Sequence, residues 1–290
     1  MTGYDFDLLI IGGGPGGYVA AIRGAQLGLS VACVEAHKLG GVCLNIGCIP
    51  TKALLTSAAL ANELKTAETH GITFAEANVD LGPAQERSRA IAEELSKGVS
   101  HLFKKNKITH IEGRGRLSIG GTVEVEAAAG AQQVYTAAHV ILATGSRPRD
   151  IPVLPIDEER IWSSTGALFQ SEAPETLAVV GAGAVGMEFA DIYNAYGTKV
   201  TVIEALDRIL PLEDADSSDA VERSFKKRGM DFHTGALVER ADLTKGSIKL
   251  DFKDKKGQQQ TLEVQRVLSA VGRMPNTGDL GLDAAGVELD

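Results

Sequence analysis

The sequence lacks the features that mark several common protein classes. It has only three cysteines in 290 residues, 5% aromatic residues, and fewer basic than acidic side chains, 29 against 38. Three cysteines are too few for a fold held together by disulfides. A net charge of −9 argues against a nucleic-acid-binding protein, because such a protein needs a basic surface. We therefore expect no nucleic-acid partner.

Signals for membrane insertion and export are also missing. No run reaches the roughly 18 uninterrupted apolar residues of a membrane span. Asp5 and Asp7 stand where a signal peptide would carry positive charge. The sequence therefore predicts a soluble, cytoplasmic protein with no membrane partner. At about 150 residues per domain, its length predicts two domains.

Glycine, by contrast, is abundant and clustered. The sequence contains 33 glycines, a share above the average usage of about 7%. An apolar run at residues 6–11 leads into Gly12, Gly14 and Gly17, and a strand-like run further on ends at Glu35. The residues between the last glycine and that run are mostly small and favour a helix.

The same arrangement occurs a second time. Residues 177–180 lead into Gly181, Gly183 and Gly186, and a later apolar run ends at Glu204. In both copies, 23 positions separate the first glycine from the glutamate. Ordinary glycine turns in an α/β fold would have to produce the same spacing twice by chance.

Each copy has the full pattern of a βαβ dinucleotide-binding unit: strand, GxGxxG, helix, and an acidic residue about 20 positions on. The glycines permit a tight turn and a close approach of the pyrophosphate to the helix N-terminus, and the glutamate accepts hydrogen bonds from ribose hydroxyls. The fold class is therefore predicted as α/β, with two Rossmann-like dinucleotide-binding domains. Two such sites in one chain indicate one flavin, FAD, and one nicotinamide. Glu204 favours NAD, although Arg208 nearby leaves NADP open.

Two cysteines five positions apart, Cys43 and Cys48, lie between the copies. They could be metal ligands, buried small residues or a redox pair, and no nearby Cys or His completes a zinc set. In a regular helix their Cα atoms would lie roughly 8.6 Å apart, whereas a disulfide needs less than about 7 Å. The pair can close only across an irregular turn, which Gly47 and Pro50 would provide. Cys48 should lie at the start of a helix over residues 51–64, where the dipole favours a thiolate.

Further elements follow from periodicity. Residues 84–103 have helical spacing of apolar positions, and residues 108–140 alternate like hairpin strands that turn at glycines 120 and 121. A strand is predicted at residues 140–143, and a hairpin at residues 248–252 and 261–264. Cys33 lies inside a predicted strand and is interpreted as a packed small residue with no functional role.

The residues from Gly40 to Lys52 match in full the pattern GG-x-C-x4-C-x-P-[ST]-K, and matching motifs occur at residues 113–115, 143–148 and 270–277. With both glycine fingerprints, these residues resemble the pyridine nucleotide–disulfide oxidoreductase family. Residues 43–55, CLNIGCIPTKALL, are similar to the corresponding segment of family members that oxidise dihydrolipoamide, rather than to that of glutathione or mercuric reductases. The resemblance covers essentially the whole chain and implies an enzyme that uses FAD and NAD.

The resemblance also implies catalytic roles. Cys43 and Cys48 would form a redox disulfide, with Cys48 facing the flavin and Cys43 exchanging with the dithiol substrate. Lys52 would lie near flavin N5, paired with Glu188. Without the resemblance, Lys52 is a lysine in a helix's first turn, where the dipole disfavours cations, and Glu188 is equally well a solvated helix residue.

The nucleotide-binding residues combine the fingerprints with the resemblance. The predicted FAD-binding residues are Gly12, Gly14, Gly17, Glu35, Gly41, Lys52, Gly115, Thr144, Gly145 and Ser146. The predicted NAD-binding residues are Gly181, Gly183, Gly186, Glu204, Ala270 and Gly272. No His or Cys spacing suggests a metal site, so none is predicted.

The predicted domains are an FAD-binding domain at residues 1–148 and an NAD-binding domain at residues 149–275. Residues 276–290 would begin the return to the FAD domain. In the family, the FAD domain resumes at this point, and an interface domain then completes a homodimer. Because the chain ends at Asp290, we expect an incomplete FAD domain, no interface domain, weakened FAD binding and impaired dithiol oxidation.

The expected substrate is dihydrolipoamide, carried on the lipoyl domain of a 2-oxo acid dehydrogenase or glycine cleavage complex. Three alternatives stay open on the sequence. One is a nucleotide-binding or NADH diaphorase-like fragment without dithiol turnover. Another is a different disulfide reductase of the same family. The third is a non-enzymatic interaction protein that kept the fold.

Overall fold

The structure is a computed structural model that describes residues 3–128 and 130–289. Within these residues the α-helices are α1 (Pro15–Gln26), α2 (Gly41–Ile46), α3 (Cys48–Leu64), α4 (Leu81–Lys105), α5 (Ser164–Leu168), α6 (Ala184–Ala195) and α7 (Ala215–Lys227). Short 3-10 turns lie at Ala67–His70, Ile119–Gly121 and Asp283–Ala285.

The strands of the described residues are β1 (Phe6–Ile11), β2 (Val31–Glu35), β3 (Thr109–Glu112), β4 (Arg114–Leu117), β5 (Thr122–Glu126), β6 (Gln132–Leu142), β7 (Ser146–Pro148), β8 (Ile161–Trp162), β9 (Thr176–Val180), β10 (Lys199–Glu204), β11 (Asp231–Thr234), β12 (Leu237–Leu243), β13 (Ile248–Lys253), β14 (Gln259–Val264), β15 (Arg266–Ser269) and β16 (Arg273–Pro275). The mixture of parallel sheets and helices confirms the predicted α/β class. Strands β1 and β10 have the bounds that the sequence predicted.

The chain divides into two compact units. The first unit comprises residues 1–49, 90–147 and 274–290, and the second comprises residues 50–89 and 148–273. This grouping differs from the predicted domains at residues 50–89, which the prediction kept with the first domain. Their apolar residues Leu54, Ala58, Leu81 and Ala84 belong to a core of the second unit.

The first unit is built on one sheet with the strand order β3-β2-β1-β6-β5-β4. Strands β3, β2, β1 and β6 run parallel, and β4 and β5 are antiparallel additions. The parallel part has the 3-2-1-4 order of a Rossmann half. Both faces of β1 are buried: Leu8 and Ile10 pack on the side that holds Phe103 of α4, and Leu9 and Ile11 pack on the other. Burial on both faces explains why residues 8–11 of β1 are a continuous apolar run.

The second unit repeats this plan. Its parallel sheet has the order β11-β10-β9-β15-β8. Strand β9 therefore lies between β10 and β15, just as β1 lies between β2 and β6 in the first unit. One face of β9 packs against Phe189 and Tyr193 of α6. The other packs against Phe252 of β13, in the antiparallel sheet β12-β13-β14 that contains the predicted hairpin.

One segment, Gly41–Leu64, is long and apolar enough to cross a membrane as a helix, although its apolar residues are not uninterrupted. The structure divides this segment at Gly47 into α2 and α3, and 33% of an apolar 18-residue stretch within it is buried. Core helices of soluble proteins can have the same length and composition.

Cys33 lies in the middle of β2 and is fully buried. Burial, and secondarily the charge of Glu35, raises the pKa of the Cys33 thiol to about 12. A thiol reacts as its thiolate, so this side chain is chemically inert in the folded protein. The packing agrees with its interpretation as a small core residue.

We predict that iodoacetamide at about pH 8 leaves Cys33 unmodified in the native protein, because a buried thiol is both inaccessible and protonated. Mass mapping of tryptic peptides before and after unfolding measures this. After mild reduction, which opens the expected Cys43–Cys48 disulfide, the exposed Cys48 is the internal control and should react in the native state. Equal labelling of both cysteines in the native protein would contradict the prediction.

Candidate functional site

The loop between β1 and α1 depends on glycine at two positions for reasons of backbone packing. A Cβ on Gly12, whose φ is +106°, would lie 2.2 Å from the carbonyl oxygen of Ala143, and a Cβ on Gly17 would lie 1.7 Å from that of Gly12. At Gly14 the nearest atom is 3.8 Å away, the Cα of Gly41. The protein therefore fills the space around the first and third glycines but leaves the middle one open.

The loop between β9 and α6 has the same division. A Cβ on Gly181, whose φ is +100°, would lie 2.4 Å from the Ala270 carbonyl oxygen, and one on Gly186 would lie 2.0 Å from that of Gly181. Around Gly183 no atom of residues 3–128 and 130–289 lies within 4 Å of the Cβ position. A bound pyrophosphate requires this open backbone beside a helix N-terminus, so both loops fit a dinucleotide.

The two fingerprint glutamates have matching contacts. Glu35 Oε2 accepts from the backbone N–H of Gly13 at 2.7 Å, and Glu204 Oε2 accepts from that of Ala182 at 2.6 Å. In each copy, Oε1 accepts from the N–H two residues further along, at 2.8 Å. A carboxylate has about four acceptor positions, so each glutamate keeps capacity for ribose hydroxyls.

Arg208 is held within its own loop. Its Nη2 donates to the carbonyl oxygens of Pro211, at 3.2 Å, and Glu213, at 2.8 Å. A site for NADP usually offers an arginine to the 2′-phosphate. These contacts use only Nη2, so they hold the side chain in its loop, and the carboxylate of Glu204 is what favours the unphosphorylated nucleotide.

The segment after β6 contains three predicted FAD-binding residues, Thr144, Gly145 and Ser146. Thr144 Oγ1 donates to the Asn276 carbonyl at 2.7 Å, and Asn276 Nδ2 donates back to the Thr144 carbonyl at 2.9 Å. Gly145 has φ +69°, and Ser146 begins β7, half-buried. Sequence reasoning gave no role to Asn276; its place in the motif at residues 270–277 was the available signal.

Three further predicted residues have structural surroundings of their own. Gly115 lies in β4, and a Cβ there would come within 3.2 Å of the side chains of Ile11 and Val34, so packing alone accounts for glycine. Ala270 N–H donates to the Val180 carbonyl, which ties it to the strand before the second loop. Gly272 has φ +116°, a conformation that suits glycine.

The cysteine segment is irregular, as its residues predict. Helix α2 carries the half-buried Cys43 and ends before Gly47, which has φ −149° and ψ −116°; α3 then begins at the exposed Cys48. Cys48 carries a free thiol in this structure. Pro50 does not break the backbone, because it lies in the first turn of α3, where its missing N–H is unneeded.

Lys52 and Glu188 form an ion pair across 136 positions of sequence. Lys52 Nζ lies 2.6 Å from Glu188 Oε1, and the side chains are 60% and 26% exposed. The structure thus brings together the two residues that the resemblance paired. Pairs this exposed contribute about 0–1 kcal/mol to stability, so folding alone does not explain the contact.

No group of three or more His, Cys, Asp or Glu side chains that could hold a metal ion occurs among residues 3–128 and 130–289.

Comparisons with known proteins extend these observations. The sequence model of the family described as pyridine nucleotide-disulphide oxidoreductase matches residues 6–290. The chain is 42% identical to leghemoglobin reductase of Glycine max over 287 residues, which is 98% of this chain and 55% of the relative. It is 40% identical to dihydrolipoyl dehydrogenase of Cupriavidus necator over 296 residues, which is 99% of this chain and 62% of the relative.

Solved structures agree. LpdA from Mycobacterium tuberculosis superposes with a TM-score of 0.88 at 30% identity, covering 98% of this chain and 62% of that one. The flavoprotein disulfide reductase RclA from Escherichia coli gives 0.84 at 28% identity, covering 100% and 61%. The chain thus spans about three fifths of the length of these proteins. With a family match over nearly its whole length, the chain belongs to the pyridine nucleotide-disulphide oxidoreductases.

Proposed function

We propose that this chain provides the two nucleotide-binding units and the redox cysteines of a dihydrolipoyl dehydrogenase, with FAD in the first unit and NAD in the second. The observation that carries the proposal is the twofold loop geometry together with the cysteine pair. Relatives named dihydrolipoyl dehydrogenase, about 40% identical over nearly all of this chain, support it.

The position of the cysteines supports FAD in the first unit. Helix α2, which carries Cys43, begins at Gly41, and a Cβ on Gly41 would lie 2.6 Å from the Cα of Gly14. The cysteine-bearing segment therefore starts against the loop that would hold the pyrophosphate. The second unit, with its buried Glu204, is suited to NAD.

In the proposed reaction, dihydrolipoamide loses two electrons and two protons to become the cyclic disulfide lipoamide, and NAD⁺ becomes NADH with release of one proton. A thiolate of dihydrolipoamide attacks the Cys43 sulfur of the Cys43–Cys48 disulfide, which forms a mixed disulfide with Cys43 and releases Cys48 as the thiolate. The second substrate thiol then displaces Cys43 from the mixed disulfide, which closes the lipoamide ring and leaves the two cysteines reduced. When Cys43 and Cys48 form their disulfide again, their two electrons go to NAD⁺. Bound FAD would supply the electron carrier between the two thiols and the nicotinamide. The N-terminus of α3 stabilises negative charge on Cys48.

The partner that we propose is the lipoyl domain of a 2-oxo acid dehydrogenase or glycine cleavage complex. We further propose that the protein itself acts as a homodimer and in the cytoplasm. Support for the partner comes from relatives named dihydrolipoyl dehydrogenase. The low cysteine content supports a reducing compartment.

The test of the proposed function is the visible spectrum of the purified chain with added FAD. Dihydrolipoamide and NADH, added separately, should each bleach the flavin bands, and NAD⁺ should restore them after the dithiol. Absence of bound flavin at saturating FAD would refute the proposal. Bleaching by NADH but not by dihydrolipoamide would limit the proposed function to a diaphorase-like activity.

When the Cys48 thiolate is reduced and faces the oxidised flavin, we expect a new absorbance band at long wavelength. We predict that Cys48→Ser abolishes this absorbance, because the sulfur facing the flavin is gone. Cys43→Ser should retain that absorbance, since it keeps Cys48, but should lose dithiol turnover. Stopped-flow spectra of both variants measure this. The assignment of the two roles would be wrong if Cys43→Ser lost the band and Cys48→Ser kept it.

We predict that Gly183→Ala weakens NADH binding about tenfold or more while leaving the melting temperature unchanged, because its methyl group meets no protein atom but occupies the pyrophosphate approach. Gly14→Ala should do the same to FAD and spare NADH. Titration by fluorescence measures both.

Gly186→Ala is the contrasting variant, since its Cβ would meet a backbone oxygen at 2.0 Å and should destabilise the fold itself. If Gly183→Ala bound NADH normally, the second loop would not hold the nucleotide.

We predict that Glu188→Gln slows reduction of the flavin by dithiol, because Lys52, which the resemblance places near flavin N5, loses its ion-pair partner. The free energy of unfolding should fall by less than about 1 kcal/mol, because the pair is exposed. Denaturant unfolding and rapid mixing measure the two effects. Glu93→Gln, which breaks the comparably short and even more exposed pair with Lys97, is the matched control and should change neither strongly. Equal reduction rates in both variants would remove Glu188 from the proposed mechanism.

A further inference from the structure

Asn276 makes an unusually complete set of contacts where the chain re-enters the first unit. Its backbone N–H donates to the Gly145 carbonyl at 2.9 Å, and its Nδ2 donates to the Thr144 carbonyl at 2.9 Å. Its own carbonyl accepts from Thr144 Oγ1 at 2.7 Å, and its Oδ1 accepts from Arg147 Nη1 at 3.3 Å. These contacts fix both peptide carbonyls of the turn that follows β6.

That turn lies at the carboxyl end of β6, beside β1 and its glycine loop. The carbonyl of Ala143, the preceding residue, is the group that a Cβ on Gly12 would strike. Ligands of open parallel sheets bind outside the carboxyl ends of strands, where the strand order reverses. In the order β2-β1-β6, that place is the gap between β1 and β6.

The turn offers two hydrogen-bond donors. The backbone N–H groups of Thr144 and Gly145 donate to no residue in the part of the chain that the structure describes. Consecutive backbone N–H groups in a turn with positive φ form an anion-binding concavity. Gly145 has φ +69° and is exposed, and no atom of the described residues lies within 4 Å of its Cβ position.

We infer that Asn276 is a positioning residue for the flavin: it holds the Thr144–Gly145 turn so that these two N–H groups remain available to bound FAD. This inference rests on the proposed FAD site in the first unit. Asparagine suits the role because one amide donates to the Thr144 carbonyl and accepts from Arg147 at the same time. A carboxylate can only accept, so it would repel the Thr144 carbonyl.

The test uses Asn276→Ala and Asn276→Asp in the full chain, with FAD affinity measured by flavin fluorescence. Both variants should bind FAD about tenfold more weakly, the size expected for losing a well-formed side-chain hydrogen bond that holds a site. At saturating FAD, the visible bands of the bound flavin should shift, because the two N–H donors have moved. NADH affinity should be unchanged.

Asn106 supplies a matched control in the same unit. Its Nδ2 also donates to a backbone carbonyl, that of Leu102, at 2.8 Å, at the end of α4. Asn106→Ala and Asn106→Asp should leave FAD affinity and the flavin spectrum as in the wild type. Asn276→Asp keeps the side-chain volume and the Arg147 contact, so it serves as the second variant if Asn276→Ala does not fold.

Wild-type affinity and an unshifted spectrum in a folded Asn276 variant would overturn the inference, as would equal losses in the Asn106 control. Wild-type protein that binds no FAD would overturn the proposed function, and this inference with it. The two failures are therefore distinguishable.

Discussion

The close approach of each glycine-loop carbonyl to the following helix is the constraint on which both units depend. Gly17 and Gly186 sit where any Cβ would strike the carbonyl of the first glycine in the loop, at 1.7 and 2.0 Å. This approach draws the helix N-terminus up to the end of the central strand. The donors of the first helical turn then face the crevice where the sheet order reverses.

Within that frame, the two copies differ in what surrounds them. A Cβ on Gly14, the middle glycine of the first loop, would lie 3.8 Å from the Cα of Gly41, whereas no atom of the described residues comes within 4 Å of the Cβ position at Gly183. The first loop thus lies next to the start of the cysteine-bearing helix α2, and the second loop has no such neighbour among the described residues. The carboxylate contacts are the same in both copies, so the units are specialised by the segments added around the fingerprint and not by the fingerprint itself.

The sequence predicted the local elements well because their signals are local. The strands that flank each glycine loop are continuous apolar runs buried on both faces, and the irregular turn at Gly47 followed from residue types. Helix α7 was not predicted, because its surface is polar and only Ser218 is buried in it. The placement of residues 50–89 with the second unit also escaped prediction, since it depends on which core their apolar residues join.

Contacts between residues far apart in the sequence could not be predicted from residue patterns alone. Lys52 and Glu188 were paired only by resemblance, and the contact of Asn276 with Thr144, across 132 positions, was not anticipated. No periodicity encodes such pairs, because each member lies on an element whose own pattern is satisfied without the other. The signal that remains is a small local conflict, such as a lysine near the positive end of a helix dipole.

The structure weakens that conflict at Lys52. Helix α3 begins at Cys48, so Lys52 is its fifth residue and lies beyond the first turn, where the helix dipole acts most strongly. An exposed ion pair such as that with Glu188 contributes about 0–1 kcal/mol. The pair therefore adds almost nothing to the stability of the fold, yet it fixes one ammonium group beside a carboxylate at 2.6 Å. An arrangement that is neutral for stability and specific in geometry is better explained by the chemistry of the site than by folding.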